Sequence, residues 1–183
     1  PRSSSLERAI VEYADWAIGR FVRMASREPW FSNTLFVFVA DHGASDSRYD
    51  MSLAYHHIPM LFYAPGRIPP QSCDRLALQL DLGPTLLGLL QQSPSCTTFG
   101  IDLQRLARPF AYFSSDDKIG VLDGTYFYVY RVGSRLESLY RYSDHSTQDE
   151  LPQHRSRSQA MRRYAFSMLQ SSQQMLLQHS TSG

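Results

Sequence analysis

The pattern of apolar and polar positions divides the chain into a helix-and-strand first half and a strand-rich second half. Leu6, Ile10, Tyr13, Ala14, Ala17, Ile18, Phe21 and Met24 recur at helical spacing, which predicts an amphipathic helix over residues 6–25. Ser3 to Ser5 offer capping hydroxyls before it and Pro29 stops it. Residues 34–40, Thr-Leu-Phe-Val-Phe-Val-Ala, are apolar on both faces and rich in β-branched and aromatic side chains. Such a run predicts a strand buried on both sides, as in a parallel sheet covered by helices. It ends abruptly at Asp41-His42-Gly43. Residues 58–64 predict a second strand, closed by Pro65-Gly66, with Pro59 tolerated only near its start.

Further along, a helix is expected over 84–90, with Pro84 in its first turn where a missing N–H costs nothing. Residues 109–114 read as a strand. Residues 119–130 read as a hairpin turning at Asp123-Gly124, and 136–142 as one more antiparallel strand. A closing helix is expected over 158–177, with Met161, Tyr164, Ala165, Met168, Leu169, Met175 and Leu176 marking its buried face. The first half therefore reads as α/β, and the second as a small antiparallel sheet under a helix.

The composition is that of an ordinary globular protein. The chain has 183 residues, 43% of them hydrophobic and 19% charged, enough to build a core. Its 18 basic and 17 acidic residues leave a formal charge of +1, which argues against nucleic acid as a partner. No apolar run reaches the roughly 20 residues of a membrane span. The chain starts at Pro1 in a polar stretch without a signal segment, and is read as a piece of a longer polypeptide. Cys73 and Cys96 match no zinc spacing. Their residue types allow either one disulfide or two separate thiols.

Candidate chemistry gathers behind the first strand. In open α/β sheets, ligands bind beyond the carboxyl ends of strands, where Asp41 and His42 fall. An adjacent carboxylate and imidazole suit a divalent metal, and Gly43 leaves room for close backbone. The tripeptide alone is equally readable as a turn with capping side chains. The loop that follows adds Asp46, Arg48, Tyr49, Asp50, Tyr55, His56 and His57. Arginine suits phosphate or sulfate oxygens through its fork of donors. Histidine can ligate a metal, hold an oxygen or protonate a leaving group. If His56 and His57 opened a strand, only one of them would face a site. A solvated loop is the plain alternative for each of these residues singly.

Several blocks together resemble the sulfatase and alkaline-phosphatase superfamily. Residues 34–43 resemble its late metal-binding strand and turn, and residues 55–66, Tyr-His-His-Ile-Pro-Met-Leu-Phe-Tyr-Ala-Pro-Gly, its following strand. Residues 79–90 are similar to its Q-x-D-x-x-P-T-L-L-x-L helix start, and residues 99–103 to its F-G-x-x-L stretch. Residues 13–21 match the helix before the metal strand, and residues 137–144 look like a degenerate E-L-Y-D-L strand. The blocks keep the family's order over about residues 6 to 145. The wording at 55–65 and 79–90 looks closest to lipoteichoic-acid-synthase-like phosphoglycerol transferases.

The resemblance implies the C-terminal half of a three-layer α/β/α domain over 1–108, and an antiparallel subdomain with a closing helix over 109–183. It implies a phosphoryl or sulfuryl ester hydrolase or transferase acting through a covalent nucleophile. Asp41 and His42 would be metal ligands; His57, His56 and Arg48 would contact substrate. Mn or Zn is the expected metal, with Ca or Mg as further options. The expected partner is a phosphate or sulfate ester, a phospholipid headgroup among the options. The family's nucleophile and early acidic ligands have no counterpart before Asp41. They are expected upstream, with a membrane-associated N-terminal region that would place the domain on the periplasmic or extracellular side of a bacterial inner membrane. Two other readings stand beside this one. The first is a non-catalytic domain of the same scaffold that binds anionic polymers or lipid headgroups. The second is a membrane-surface module using Arg155, Arg157, Arg162 and Arg163 of the last helix.

Overall fold

A computed structural model describes residues 5–92 and 98–180. The chain forms two units: residues 1–43 with 57–72, and residues 44–56 with 73–183. The sequence reading grouped 1–108 together. In the structure, residues 44–56 and 73–108 group instead with the C-terminal sheet.

The first unit holds helix α1 (Leu6–Ala25) and strands β1 (Phe36–Val39) and β2 (Met60–Tyr63). The strands pair antiparallel, Phe36 opposite Tyr63 and Val39 opposite Met60. This corrects the parallel arrangement expected for them. A parallel pair needs a crossover that carries the chain back over the sheet. Residues 44–56, inside the connection, contain only the single helical turn α2 (Leu53–His56) and belong to the other unit.

Burial on both faces of β1 is also not found. Phe36 is buried at 8% exposure, while Val39, Leu61 and Tyr63 are exposed. Phe36 anchors an aromatic cluster with Phe21, Trp30, Phe31 and Tyr63, at centroid distances from 5.4 Å (Phe31) to 6.3 Å (Trp30). Arg67 ties the unit shut by donating to Ser32 O and Asn33 Oδ1, both at 3.1 Å. Two strands and one helix offer too little surface to cover the α1 stripe. Leu6, Ile10, Tyr13, Ile18, Phe21 and Met24 are all exposed, and of the helix only Ala25 is buried.

The second unit is built on a meander of strands in the order β3 (Ala111–Ser115), β4 (Lys118–Leu122), β5 (Tyr126–Arg131) and β6 (Glu137–Arg141). Every neighbouring pair is antiparallel. The expected turn at Asp123-Gly124 is present. Asp123 Oδ1 accepts from the backbone N–H groups of Thr125 at 2.8 Å and Tyr126 at 2.7 Å, so the carboxylate mimics a turn backbone.

Strand β5 is buried on both faces, residue by residue from Tyr126 to Tyr130. One face, through Tyr126, Tyr128 and Tyr130, packs with Leu139 against Met161 and Ala165 of helix α4 (Arg155–Ser180). The other, through Phe127 and Val129, packs against Tyr49 and Met51 of the 44–56 segment. Strand alternation assigns the two faces, and a different segment covers each. At the far end of α4 the expected buried face lapses: Leu176 is 70% exposed.

Helix α3 (Leu82–Leu89) follows a short 3-10 turn and carries Pro84 in its first turn, as expected. Asp81, just before it, is fully buried. Its carboxylate accepts from Leu78 N–H and Ile101 N–H, each at 2.8 Å, and from Arg108 Nε at 2.6 Å and Nη2. Arg108 Nη2 also donates to Phe99 O at 2.6 Å. The Asp81 hydrogen bond is the chief cause holding the guanidinium's pKa above its ordinary value. Nothing in local sequence pattern pairs residues 81 and 108. The feature that singles Asp81 out is an acid set among Leu78, Leu80 and Leu82, where an unpaired charge would be costly.

Candidate functional site

Strand β1 ends at Val39, and Ala40 N–H still reaches Pro59 O at 3.4 Å. The next two side chains leave the ladder together. Asp41 Oδ1 accepts from the backbone N–H of His42 at 2.9 Å, a contact between neighbours at the bend that follows the strand. His42 Nδ1 lies 2.9 Å from Gly43 O. A carbonyl oxygen only accepts, so Nδ1 carries a proton and Nε2 is the nitrogen through which the ring could ligate. Fixing the tautomer through a backbone carbonyl is how metal-ligating histidines are commonly oriented.

His42 Nε2 and Asp41 Oδ2 are 3.9 Å apart, and both side chains are solvent-accessible. Two donors on one tetrahedral zinc, each about 2.0–2.2 Å from it, sit roughly 3.4 Å apart. The pair stands about half an ångström wider than that, a gap that a small rotation of the exposed Asp41 side chain would close. Among the described residues no group of three or more His, Cys, Asp or Glu side chains is placed to hold a metal; Asp41 and His42 offer two donor atoms.

The remaining expected site residues are distributed as follows. His57 is exposed, in the same unit as Asp41 and His42. His56 closes α2 in the other unit, so neither histidine opens a strand. The His56 ring lies against Phe113 at a centroid distance of 4.4 Å. Arg48 Nη1 donates to His145 Nδ1 at 2.7 Å. Tyr49 is buried and donates to Ser146 O at 3.0 Å. Asp50 takes both Arg131 Nε at 2.6 Å and Nη2 at 3.0 Å. Much of what reads as a functional loop thus fastens 44–56 onto the sheet. Cys73 is exposed, and Cys96, its suggested disulfide partner, lies outside the described residues.

Burial lowers the His56 pKa below its ordinary 6.5, so the folded protein keeps this ring neutral where the unfolded chain starts to protonate. The stability it contributes is fully present above about pH 6.5 and is lost as pH falls through the lowered folded value. Urea unfolding between pH 5 and 8 should show stability falling toward acid more steeply in wild type than in His56→Gln. Parallel profiles for the two proteins would contradict the assignment.

The basic last helix is largely spoken for. Arg157 pairs with Asp123 and lies over Tyr126; Arg162 pairs with Glu137 at 2.8 Å and lies over Tyr130. Two of the four arginines considered for a membrane surface therefore face the sheet. Among the described residues no helix is long and apolar enough to cross a membrane.

Comparisons with known proteins agree with this architecture. The sulfatase family model matches residues 8–92. A protein in the alkaline phosphatase superfamily from Vibrio parahaemolyticus is 27% identical, with a TM-score of 0.71 over 81% of this chain and 38% of its own. A phosphonate monoester hydrolase from Silicibacter pomeroyi shares the fold at 17% identity and a TM-score of 0.63, over 87% of this chain and 38% of its own. A 2-O GAG sulfatase does so at 20% identity and 0.57, over 88% and 39%. The chain spans less than half the length of each of these structures. Residues 8–92 thus match the sulfatase family model, and the chain shares its fold with structures of the alkaline phosphatase superfamily.

Proposed function

We propose that this chain forms part of a metal-dependent hydrolase or transferase of phosphate or sulfate esters, with Asp41 and His42 as metal ligands. The observation that carries the proposal is the fixed His42 tautomer, with Nε2 directed to the same region as Asp41 Oδ2. A bound divalent metal, Mn or Zn by the chemistry of one carboxylate and one imidazole, would neutralise developing charge on the ester oxygens. Gly43 O holds the Nδ1 proton, which leaves Nε2 as the ring nitrogen available to a metal. Asp41 contributes the negative charge. His57, in the same unit, is the candidate donor to an ester oxygen. The nucleophile is assigned to no residue of this chain.

The finer reading is a phosphoglycerol transferase acting on a lipid headgroup at the outer face of a bacterial inner membrane. It rests on the residue patterns at 55–65 and 79–90.

In the full-length protein, Asp41→Ala and His42→Ala should each weaken metal binding by about tenfold or more, since even groups that only support a ligand are worth 10–100-fold. Metal content by mass spectrometry and turnover of aryl phosphate, phosphonate and sulfate esters would be read in parallel. Wild-type metal content and turnover in the double variant would end this reading.

A further inference from the structure

The 44–56 segment is pinned to the four-stranded sheet at its middle and latched near its start. Tyr49 and Met51 are sunk against Phe127 and Val129, and Asp50 takes two nitrogens of Arg131. Just before these anchors, Arg48 Nη1 lies 2.7 Å from His145 Nδ1. A guanidinium only donates, so Nδ1 must offer a lone pair and the ring's proton sits on Nε2. The imidazole is therefore neutral in this contact. His145 is itself held in place. It ends a 3-10 turn (Tyr142–Asp144) in the left-handed conformation, φ 62°, and its N–H donates to Tyr142 O at 3.1 Å. The next residue, Ser146, offers its carbonyl to the Tyr49 hydroxyl at 3.0 Å. One short loop thus receives both Arg48 and Tyr49, and all four residues lie within the second unit.

These two contacts answer differently to acid. Burial, ahead of the opposing Arg48 charge, raises the Tyr49 pKa above its ordinary value, so the phenol keeps its proton and its bond in neutral and acid solution alike. Histidine changes charge between about pH 5 and 8, and the Arg48–His145 contact is exposed to solvent. A proton on Nδ1 would remove the lone pair and set an imidazolium against a guanidinium, where like charges repel. The other charged groups here are Asp46 on the segment, and Asp144 and Arg141 on the loop's side. Asp144 Oδ1 accepts from Ser146 N–H at 3.2 Å, and its Oδ2 stands 3.9 Å from Arg141. Asp46 Oδ1 accepts from the Ser52 hydroxyl at 3.4 Å. Each carboxylate is thus turned to its own segment, and neither bridges the two cations.

We propose that Arg48 and His145 form an acid-opened latch on the first residues of the 44–56 segment. A solvent proton taken up at His145 Nδ1 expels the Arg48 guanidinium. Residues 44–48 then lift from the 142–146 loop, while Tyr49, Asp50 and Met51 keep the rest in place. The closed state needs a neutral ring and the open state does not, so closure is favoured in alkaline solution and is lost as pH falls. The opening is local, because the buried anchors are untouched.

The test is amide hydrogen exchange of the full-length protein, read as protection factors for peptides covering 44–50 and 142–147 at about pH 7.5 and about pH 5.5. Wild type should lose protection roughly three- to tenfold in the acid sample, the contribution of one exposed, charge-assisted hydrogen bond. His145→Asn removes the titration and keeps the rest. Asparagine tolerates the left-handed φ, and its Oδ1 can still accept from Arg48. Its protection should be the same at both pH values. Arg48→Gln removes the second charge and should flatten the response as well. Equal protection of wild type at both pH values, or an acid loss in His145→Asn as large as in wild type, would overturn the latch. A loss that disappears in His56→Gln instead would place the switch at the far end of the segment and overturn it too.

Discussion

Asp81→Ala is expected to destabilise the second unit by about 3–5 kcal/mol, the loss typical when one partner of a buried ion pair is removed. Asp81 is fully buried and the Arg108 side chain is only 5% exposed. Truncation would strand a guanidinium whose other contacts are Phe99 O at 2.6 Å and Tyr164 OH at 3.5 Å. It would also orphan Leu78 N–H and Ile101 N–H, each now donating to the carboxylate at 2.8 Å. Buried donors without acceptors cost about 1–3 kcal/mol each, so relaxation that lets water in sets the total.

Asp81→Asn separates charge from shape. Its amide must turn a donor toward Arg108 or toward a backbone N–H, so it should recover less than half of the loss. The measurement is urea unfolding monitored by fluorescence, comparing midpoints at constant slope. A loss below about 1 kcal/mol for Asp81→Ala would show that the pair only breaks even against its desolvation.

This interaction marks where sequence reading stops. The hairpin at Asp123-Gly124 was legible because turn chemistry is local. So was α4 near Met161 and Ala165, where helical spacing matches contact with the sheet. The turn at Asp41-His42-Gly43 was legible for the same reason: an abrupt end to an apolar run needs no distant partner. The contacts of the 44–56 loop were not legible. Tyr49, Asp50 and Arg48 are residue types that serve equally in a binding loop and in a docking strap. Only their distant partners, Phe127, Arg131 and His145, show that they dock. Strand direction at β1 and β2 failed likewise, since an apolar run suits either pairing.

Gly100→Ala is expected to cost about 2–3 kcal/mol, within the usual range for overpacking a close contact. A Cβ at position 100 would run into Leu80 O, would lie 2.8 Å from Leu80 C, and would meet Pro84 Cγ at 3.0 Å. Two of these are backbone atoms, which move only with the segment that carries them. The neighbouring residues are the ones Asp81 and Arg108 hold: Phe99 gives its carbonyl to Arg108, and Ile101 gives its N–H to Asp81. The Phe99-Gly100 stretch and the Asp81 helix start are thus two halves of one junction, and glycine is needed because the backbones touch.

Gly124→Ala is the control. Nothing lies within 4 Å of its added Cβ, so its effect should stay within about 0.5 kcal/mol, as for other surface changes. Because both lesions open the same junction, Asp81→Ala with Gly100→Ala should lose less than the sum of the two. The coupling should be on the order of 0.5–3 kcal/mol, the range for residues that share partners. Strict additivity in equilibrium unfolding would show that the two contacts act independently and would dissolve the junction into separate parts.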